Sequence, residues 1–136
     1  MADVQSYLQA QSLVDGETGW TSTKRHLHDD ADQVVALTDD GGPPPEIATS
    51  SGLGDQAIAD VGVQALVRAA RLKADDSYDK AEAIRDALHG LTDTTLGATR
   101  YIRVRAMTSE PVFAGFDSNG RPTHTIAFRL LRSEDP

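Results

Sequence analysis

Apolar residues recur at the spacing of an α-helix in two stretches of the chain. Over residues 2–14, Val4, Tyr7 and Leu8 fall on one face, and Gly16 supplies a stop. A second stretch begins with Asp76 or Ser77 as the N-cap and ends near His89, where Gly90 can adopt the left-handed conformation that closes a helix. Its apolar stripe consists of Tyr78, Ala81, Ile84, Leu88 and Leu91. We therefore predict two amphipathic helices.

Other stretches have the apolar pattern of β-strands. The pattern predicts strands over residues 19–28, 33–38, 61–71, 100–107, 112–116 and 123–132. In the strand over residues 100–107, Ile102, Val104 and Ala106 are predicted to face inward. Arg103 and Arg105 then face outward, beside Arg129 on a neighbouring strand, as a basic stripe. A solvated sheet face explains this stripe as well as contact with a partner or with nucleic acid does.

Two turn-rich stretches decide how the strands are connected. Asn119-Gly120 tolerates the positive φ of a type I′ hairpin turn, so the last three strands are predicted to form a meander. The stretch from Asp39 to Asp60 is rich in glycine, proline and serine, so we predict a long irregular loop at about residues 39–60. The predicted fold is a single α+β domain over residues 1–136, an antiparallel β-sheet with two α-helices packed on one face.

The charge of the chain is unevenly distributed. The 136 residues carry a net charge of −8, and residues 1–60, with eleven acidic and two basic residues, account for −9. Residues 99–136 carry six arginines and four acidic residues, a net charge of +2. This distribution does not suit a nucleic-acid-binding surface, which is broadly basic, and it is compatible with subunits that meet head to tail. Ordinary solvated faces would explain it equally well.

Few residue combinations in the chain suggest catalysis or cofactor binding. With no cysteine, disulfides and thiolate chemistry are excluded. No apolar run approaches the roughly 18 residues that span a bilayer, so a soluble protein without a membrane partner is expected. His26, His28 and Asp30 are the only cluster with metal-ligand character, and surface histidines beside an acidic turn are the commoner case. We predict no enzyme activity, cofactor or metal.

Three segments carry a resemblance to a known family. They are Asp32-Gln33-Val34-Val35-Ala36-Leu37-Thr38-Asp39-Asp40-Gly41-Gly42, the helix from Tyr78 to Leu91, and the ending Phe116-Asp117-Ser118-Asn119-Gly120-Arg121-Pro122 with Phe128-Arg129-Leu130. In this order they resemble the tail terminator or minor capsid family of long-tailed bacteriophages. The chain departs from the family's pattern in the Ser/Gly/Ala-rich stretch from Glu46 to Asp60, which looks long.

The resemblance implies a structural protein of the virion, assembled in the host cytoplasm. Such proteins are expected to form a ring, probably six-fold, at the head-proximal end of the tail tube. The ring ends tube polymerisation and contacts the tail tube protein and the connector or stopper protein of the head. DNA would pass through the lumen without sequence-specific binding.

The predicted contacts with neighbours lie in three places. They are Asp39, Asp40, Gly41, Gly42, Pro43, Pro44, Glu46 and Leu53 in the loop, Glu110 and Pro111 in the bend after residue 107, and Arg103, Arg105 and Arg129 on the strands. Three alternatives remain open at this point. They are another head-to-tail connector subunit, a small metal-dependent enzyme that uses His26, His28 and Asp30, and a bacterial regulatory binding domain.

Overall fold

A computed structural model describes residues 2–25, 31–39, 46–48, 56–96 and 99–134 of the chain. Two helices and eight strands lie within these residues. In chain order they are α1 (Ala2–Ala10), β1 (Thr21–Lys24), β2 (Val34–Asp39), β3 (Glu46–Ala48), β4 (Gln56–Arg68), α2 (Ala74–Leu88), β5 (Thr92–Leu96), β6 (Thr99–Ala106), β7 (Val112–Phe116) and β8 (Pro122–Glu134).

Two long antiparallel strands form the centre of the sheet. β4 and β8 have 13 residues each and pair without a break from Ala57↔Glu134 to Arg68↔Thr123. The other edge of β4 pairs with β2 and β3, and the other edge of β8 pairs with β6 and β7. β5 then pairs with β6, and β1 pairs with β2 in parallel. The sheet is therefore mixed, with one parallel pair in an otherwise antiparallel arrangement.

Both helices lie on the same face of this sheet. Val4 and Leu8 of α1 and Ala81, Ile84 and Leu88 of α2 are buried in one core. The facing strand residues include Val63, Ala65, Val67, Ile126, Phe128 and Leu130. The Tyr7 hydroxyl donates to the carbonyl of Ala87 at 3.3 Å, which joins the two helices directly. The predicted α+β fold, with two helices on one face, is confirmed.

The helix boundaries differ from the prediction at two ends. α1 stops at Ala10 rather than near residue 14, and Ser12 has a φ of 58°. α2 begins at Ala74 with Lys73 as the N-cap, so the prediction of Asp76 or Ser77 was wrong. Asp75 and Asp76 instead occupy the first turn, where their carboxylates interact favourably with the helix dipole. Gly90 adopts a φ of 90° just after the helix, as predicted.

The predicted loop over residues 39–60 was only partly right. Asp39 ends β2, residues 46–48 form β3, and β4 already begins at Gln56. β3 pairs with β4 from Glu46↔Ile58 to Ala48↔Gln56. The composition suggested irregular backbone, but the ladder between β4 and β8 supplies hydrogen bonds to residues with low strand propensity. Residues 40–45 and 49–55 lie outside the described residues.

The predicted meander was wrong because β6 and β7 do not pair with each other. They follow one another along the same edge of β8, separated by the bend of residues 107–111. The turn before β8 also differs, since Gly120 has a φ of 74° and Asn119 does not have a positive φ. The amide of Gly120 donates to the Asp117 carbonyl at 3.0 Å. This is a three-residue hairpin loop with a left-handed glycine, not a type I′ turn.

The inward face of β6 is displaced by a bulge. A register shift lies between Tyr101 and Arg103, so Tyr101 is buried and Ile102 is only half-buried. Val104 faces the core as predicted, opposite Leu130. The bulge adds one residue to the period of two, which alternation alone could not reveal.

Candidate assembly surface

The face of the sheet that the helices leave uncovered is called here the outer face. Arg103 and Arg105 of β6 and Arg129 of β8 lie on it, as predicted, with Arg105 directly opposite Arg129 in the pairing register. Like charges at opposite positions repel each other. Asp60 relieves this repulsion, because its Oδ1 lies 3.1 Å from the Nε of Arg129. Arg103 and Arg105 are exposed.

A groove of about 330 Å³ runs across the outer face beside these arginines. It brings together Asp39, at the end of β2, and Arg129, which are 90 positions apart in the chain. Asp39 is also ion-paired with Arg25 at 3.5 Å. The groove is lined by Thr38, Asp39, Gly62, Val63, Gln64, Met107, Ala127, Phe128 and Arg129. Its lining therefore combines one acidic and one basic residue with polar and apolar residues.

The bend between β6 and β7 is held to α2. The Arg85 guanidinium donates to the carbonyl of Ser109, and the Thr108 hydroxyl donates to the carbonyl of Glu110 at 2.8 Å. Glu110 is exposed and Pro111 is buried. Of the two predicted contact residues in this bend, Glu110 is thus accessible to a neighbour, and Pro111 packs within its own subunit.

The described residues include only some of the predicted site residues. Asp40, Gly41, Gly42, Pro43, Pro44 and Leu53 lie outside the described residues, as do His26, His28 and Asp30. Glu46 belongs to β3, where its backbone pairs with Ile58. Across the described ranges, no group of three histidine or acidic side chains is arranged to hold a metal ion.

Ser77 and His124 form a buried hydrogen-bonded pair that the sequence did not indicate. The Ser77 Oγ lies 2.6 Å from the Nδ1 of His124 and donates to the carbonyl of Ala74 at 2.9 Å. Burial lowers the pKa of His124. Ser77 is fully buried, so its hydroxyl has no access to a substrate. The pair joins α2 to β8 and is structural.

The surface feature that the sequence missed most clearly is an apolar cluster on β7. Val112, Phe113 and Phe116 are 51%, 49% and 66% exposed, and together they are called the β7 patch. The apolar run of residues 112–116 predicted a strand, and an apolar strand is normally buried. Only the position of β7 at the side of the sheet leaves these side chains exposed.

A buried charge cluster supports the chain directly after the β7 patch. Arg121 Nε and Arg68 Nη1 lie 2.8 and 3.6 Å from the Oδ2 of Asp117. Arg68 also donates to the carbonyls of Ala31 and Asp32. Burial alone would raise the pKa of Asp117, but the backbone amide and guanidinium of Arg121 lower it. Asp117 is therefore held ionised between two arginines, which fixes the turn that follows Phe116.

Comparison with known proteins assigns this arrangement to a family. Residues 7–133 match the family model described as bacteriophage tail terminator protein. The chain belongs to this family. It is therefore a structural protein of a phage tail and is located in the virion. No curated protein matches the chain.

The fold also occurs in solved structures. Six chains match, and one of them belongs to the structure titled "Virion of native gene transfer agent (GTA) particle". The likeness to that chain has a TM-score of 0.57 and 21% sequence identity, and it covers 97% of this tail terminator chain and 92% of the other. At this identity the likeness shows a shared fold. Neither α1 nor α2, the helices in the described part of the chain, is long and apolar enough to cross a membrane.

Proposed function

We propose that this tail terminator protein forms a closed ring, most simply of six identical subunits, at the head-proximal end of the tail tube. The ring ends tube polymerisation and joins the tail to a connector or stopper protein of the head, and DNA passes through its lumen without sequence-specific binding. The observation that carries the proposal is the match of residues 7–133 to the tail terminator model.

A protein that ends tube growth needs two unlike surfaces. A tube grows through head-to-tail contacts that do not close along its axis. A terminator must reproduce one of the two mating faces and lack the other. The outer face with Arg103 and Arg105 and the apolar β7 patch are unlike in chemistry, which supports separate contacts with different neighbours. The predicted contact residues Asp39, Glu110 and Arg129 add charged groups to the polar surface that Arg103 and Arg105 provide.

The protein is proposed to act without catalysis. In the described residues, the hydrogen-bonded pair Ser77 and His124 is inaccessible to a substrate, because Ser77 is fully buried. The acidic groups with lowered pKa, Asp3, Asp15 and Asp117, each bond to a structural partner. A binding surface accounts for these features, whereas a general acid or base requires a pKa near the working pH.

Removal of the gene from the phage tests the function directly. We expect tail tubes of uncontrolled length that carry no heads, seen by negative-stain electron microscopy, and normal tails when the gene is supplied from a plasmid. Tails of normal length that lack heads would favour the alternative, another head-to-tail connector subunit. Normal virions would refute both.

The loop prediction has its own experiment. The connection over residues 49–55, which contains Leu53, is replaced by Asn-Gly, so that the β3–β4 pairing of residues 46–48 with 56–58 is kept. We expect a folded protein that no longer joins heads to tails, measured by circular dichroism and by plaque complementation. Full complementation by this variant would remove Leu53 and its neighbours from the contact surface. Replacing residues 40–45 in the same way tests Asp40, Gly41, Gly42, Pro43 and Pro44.

A further inference from the structure

Exposed apolar side chains are concentrated in one strand. Of the five large apolar residues that the described part of the chain leaves exposed, three are Val112, Phe113 and Phe116, and the others are Leu72 and Met107. Single exposed apolar residues are ordinary on a monomer, but a contiguous group of this kind marks a contact surface. Phe113 and Phe116 form such a group, because their rings contact each other, and Val112 extends the β7 patch to the other side of the strand, where it lies opposite Thr125.

β7 also lies at an edge of the sheet. Within the described residues it pairs with β8 alone, from Val112↔Thr125 to Phe116↔Pro122. The neighbouring β6 has β5 on its other edge. An apolar edge strand invites pairing with another chain, and proteins usually protect such an edge with charges, prolines or a covering element. β7 contains no charged residue and no proline.

The aromatic side chains of the patch are held in position before any partner binds. The rings of Phe113 and Phe116 are 5.2 Å apart in an edge-to-face arrangement. Phe113 also lies 5.3 Å from the ring of His124, and His124 lies 5.6 Å from Tyr78 of α2. Because these rings are already ordered, their burial at an interface costs less conformational entropy than burial of mobile side chains.

Charge indicates which partner meets the patch. Residues 99–121, which contain β6 and β7, carry four arginines and two acidic residues, a net charge of +2. The described residues 11–25 and 31–39, which contain β1 and β2 on the opposite side of the sheet, carry four acidic and two basic residues, a net charge of −2. Two copies that met β7 to β7 would bring together like charges, whereas a β7-to-β1 contact brings together opposite charges.

We infer that the β7 patch of one subunit packs against the β1–β2 side of the next copy of this chain, and that this head-to-tail contact closes the ring. The inference rests on the proposed function, since it names the surface through which the ring would form. A heterologous contact of this kind joins two different patches of identical subunits and generates a ring when the rotation closes. Val112, Phe113 and Phe116 supply its apolar anchors, and aromatic anchors are typical of interface centres.

Thiol cross-linking tests the contact, because the chain has no cysteine of its own. Three variants are supplied by complementation to phage that lack the gene: Val112→Cys, Thr21→Cys, and the double variant. Thr21 is an exposed residue of β1. In purified tails treated with a bifunctional maleimide, we expect a ladder of cross-linked subunits from the double variant and uncross-linked chains from each single variant.

Every other cross-linking result would overturn one specific part of the inference or of the proposed function. Dimers from Val112→Cys alone would show a two-fold β7-to-β7 contact and overturn the head-to-tail assignment. Cross-links from Val112→Cys to a different tail protein would overturn the choice of a second copy. Absence of any cross-link, with the variants present in tails, would overturn the inference and leave the proposed function intact. Absence of the wild-type protein from tails would instead overturn the proposed function.

A second experiment removes the apolar anchors. The variant Val112→Lys/Phe116→Lys is expected to be folded by circular dichroism, to be missing from tails and to fail in complementation. Leu72→Lys is the matched control, because Leu72 is 88% exposed and lies in the turn between β4 and α2. It is expected to enter tails at the wild-type level. Normal incorporation of Val112→Lys/Phe116→Lys into tails would contradict the role of the patch.

Discussion

Strands β6 and β7 run along the same edge of β8, but their apolar residues have opposite environments. Val104 of β6 is completely buried opposite Leu130, under α2 and beside β5. Val112 of β7 pairs with Thr125 of β8 and is half exposed. β6 alternates arginines with apolar residues, whereas β7 is apolar throughout, so the sequence pattern alone would make β7 the more buried strand. The exposure of β7 follows from its position, because it lacks the neighbour on its other edge that β6 has within the described residues.

This difference separates residues that hold the subunit together from residues that are available to another subunit. Tyr101 in β6 donates its hydroxyl to the carboxylate of Asp3 in α1. Burial and this hydrogen bond raise the pKa of Tyr101, so the phenol stays protonated. Phe116 in β7 contacts Phe113 instead and has two-thirds of its surface exposed. Substitutions in the two strands should therefore affect different measurements.

The largest expected effect comes from placing the same charge at Val104 and at Val112. Val104→Asp buries an unpaired carboxylate in the core and should destabilise the fold by more than about 4 kcal/mol. Val112→Asp should change the free energy of unfolding by less than about 0.5 kcal/mol, because its side chain stays in water. Urea denaturation followed by circular dichroism measures both. Equal losses of stability would show that β7 is part of the core.

A smaller effect is expected from the hydrogen bond that anchors β6 to α1. Tyr101→Phe removes the donor to Asp3 and should lower the free energy of unfolding by about 1.5–3 kcal/mol, the usual range for a hydrogen bond to a charged group. Tyr7→Phe is the control, since its hydroxyl donates to a neutral carbonyl at 3.3 Å and should cost under about 1 kcal/mol. The comparison is wrong if Tyr7→Phe proves the more damaging of the two.

The attachment of β7 to the subunit should depend on pH through His124. Burial lowers the pKa of His124, so the unfolded chain takes up a proton near pH 6.5 while the folded chain remains neutral to a lower pH. Stability should accordingly fall as the pH drops from about 7 to about 5.5. In His124→Gln this dependence should decrease, as measured by urea denaturation at each pH.

Thr125→Val is the control for that experiment. Thr125 is the next residue of β8, is half-buried and carries no titratable group. Its replacement should leave the pH dependence of unfolding close to that of the wild type. If His124→Gln and the wild type lose stability in parallel between these pH values, the burial of His124 does not govern the dependence.

The smallest expected effect is on the rate of ring assembly. Raising the salt concentration from about 0.1 M to about 1 M shortens the Debye length from about 10 Å to about 3 Å. If opposite charges steer the subunits, assembly should slow while the rings remain, because apolar contacts of the β7 patch persist. Light scattering after rapid mixing of the subunits measures the rate of assembly. In Arg103→Glu/Arg105→Glu the dependence on salt should weaken, and an unchanged dependence would exclude these arginines from the steering.

The elements with a strong local signal were predicted well. Ala81, Ile84 and Leu88 repeat at helical spacing, and they form the buried face of α2. The alternation around Arg103 and Arg105 placed both residues on the outer face, which the structure confirms. β5 was not predicted, because its residues are mostly polar threonines and an aspartate, and it exists through its pairing with β6.

The pairing of the strands was predicted less well. β6 and β7 were expected to pair with each other, and each pairs with β8 instead. The residue period of two identifies a strand, but it gives no information on which strand lies beside it. For the same reason the first residues of β4 were taken as loop, although they continue a ladder of 12 pairs with β8.

The two helices, most of the strands, the alternation of the arginines and the resemblance to tail terminators could all be recognised in the sequence. These depend on periodicity and turn chemistry, which act over a few residues. The tertiary structure was needed to show that Ile102 is only half-buried and that the β7 patch is exposed. Burial of a strand depends on what occupies its other edge and faces, and those neighbours come from distant parts of the chain or from another subunit. An apolar residue in a strand therefore looks the same in the sequence whether it stabilises its own fold or is left for a partner.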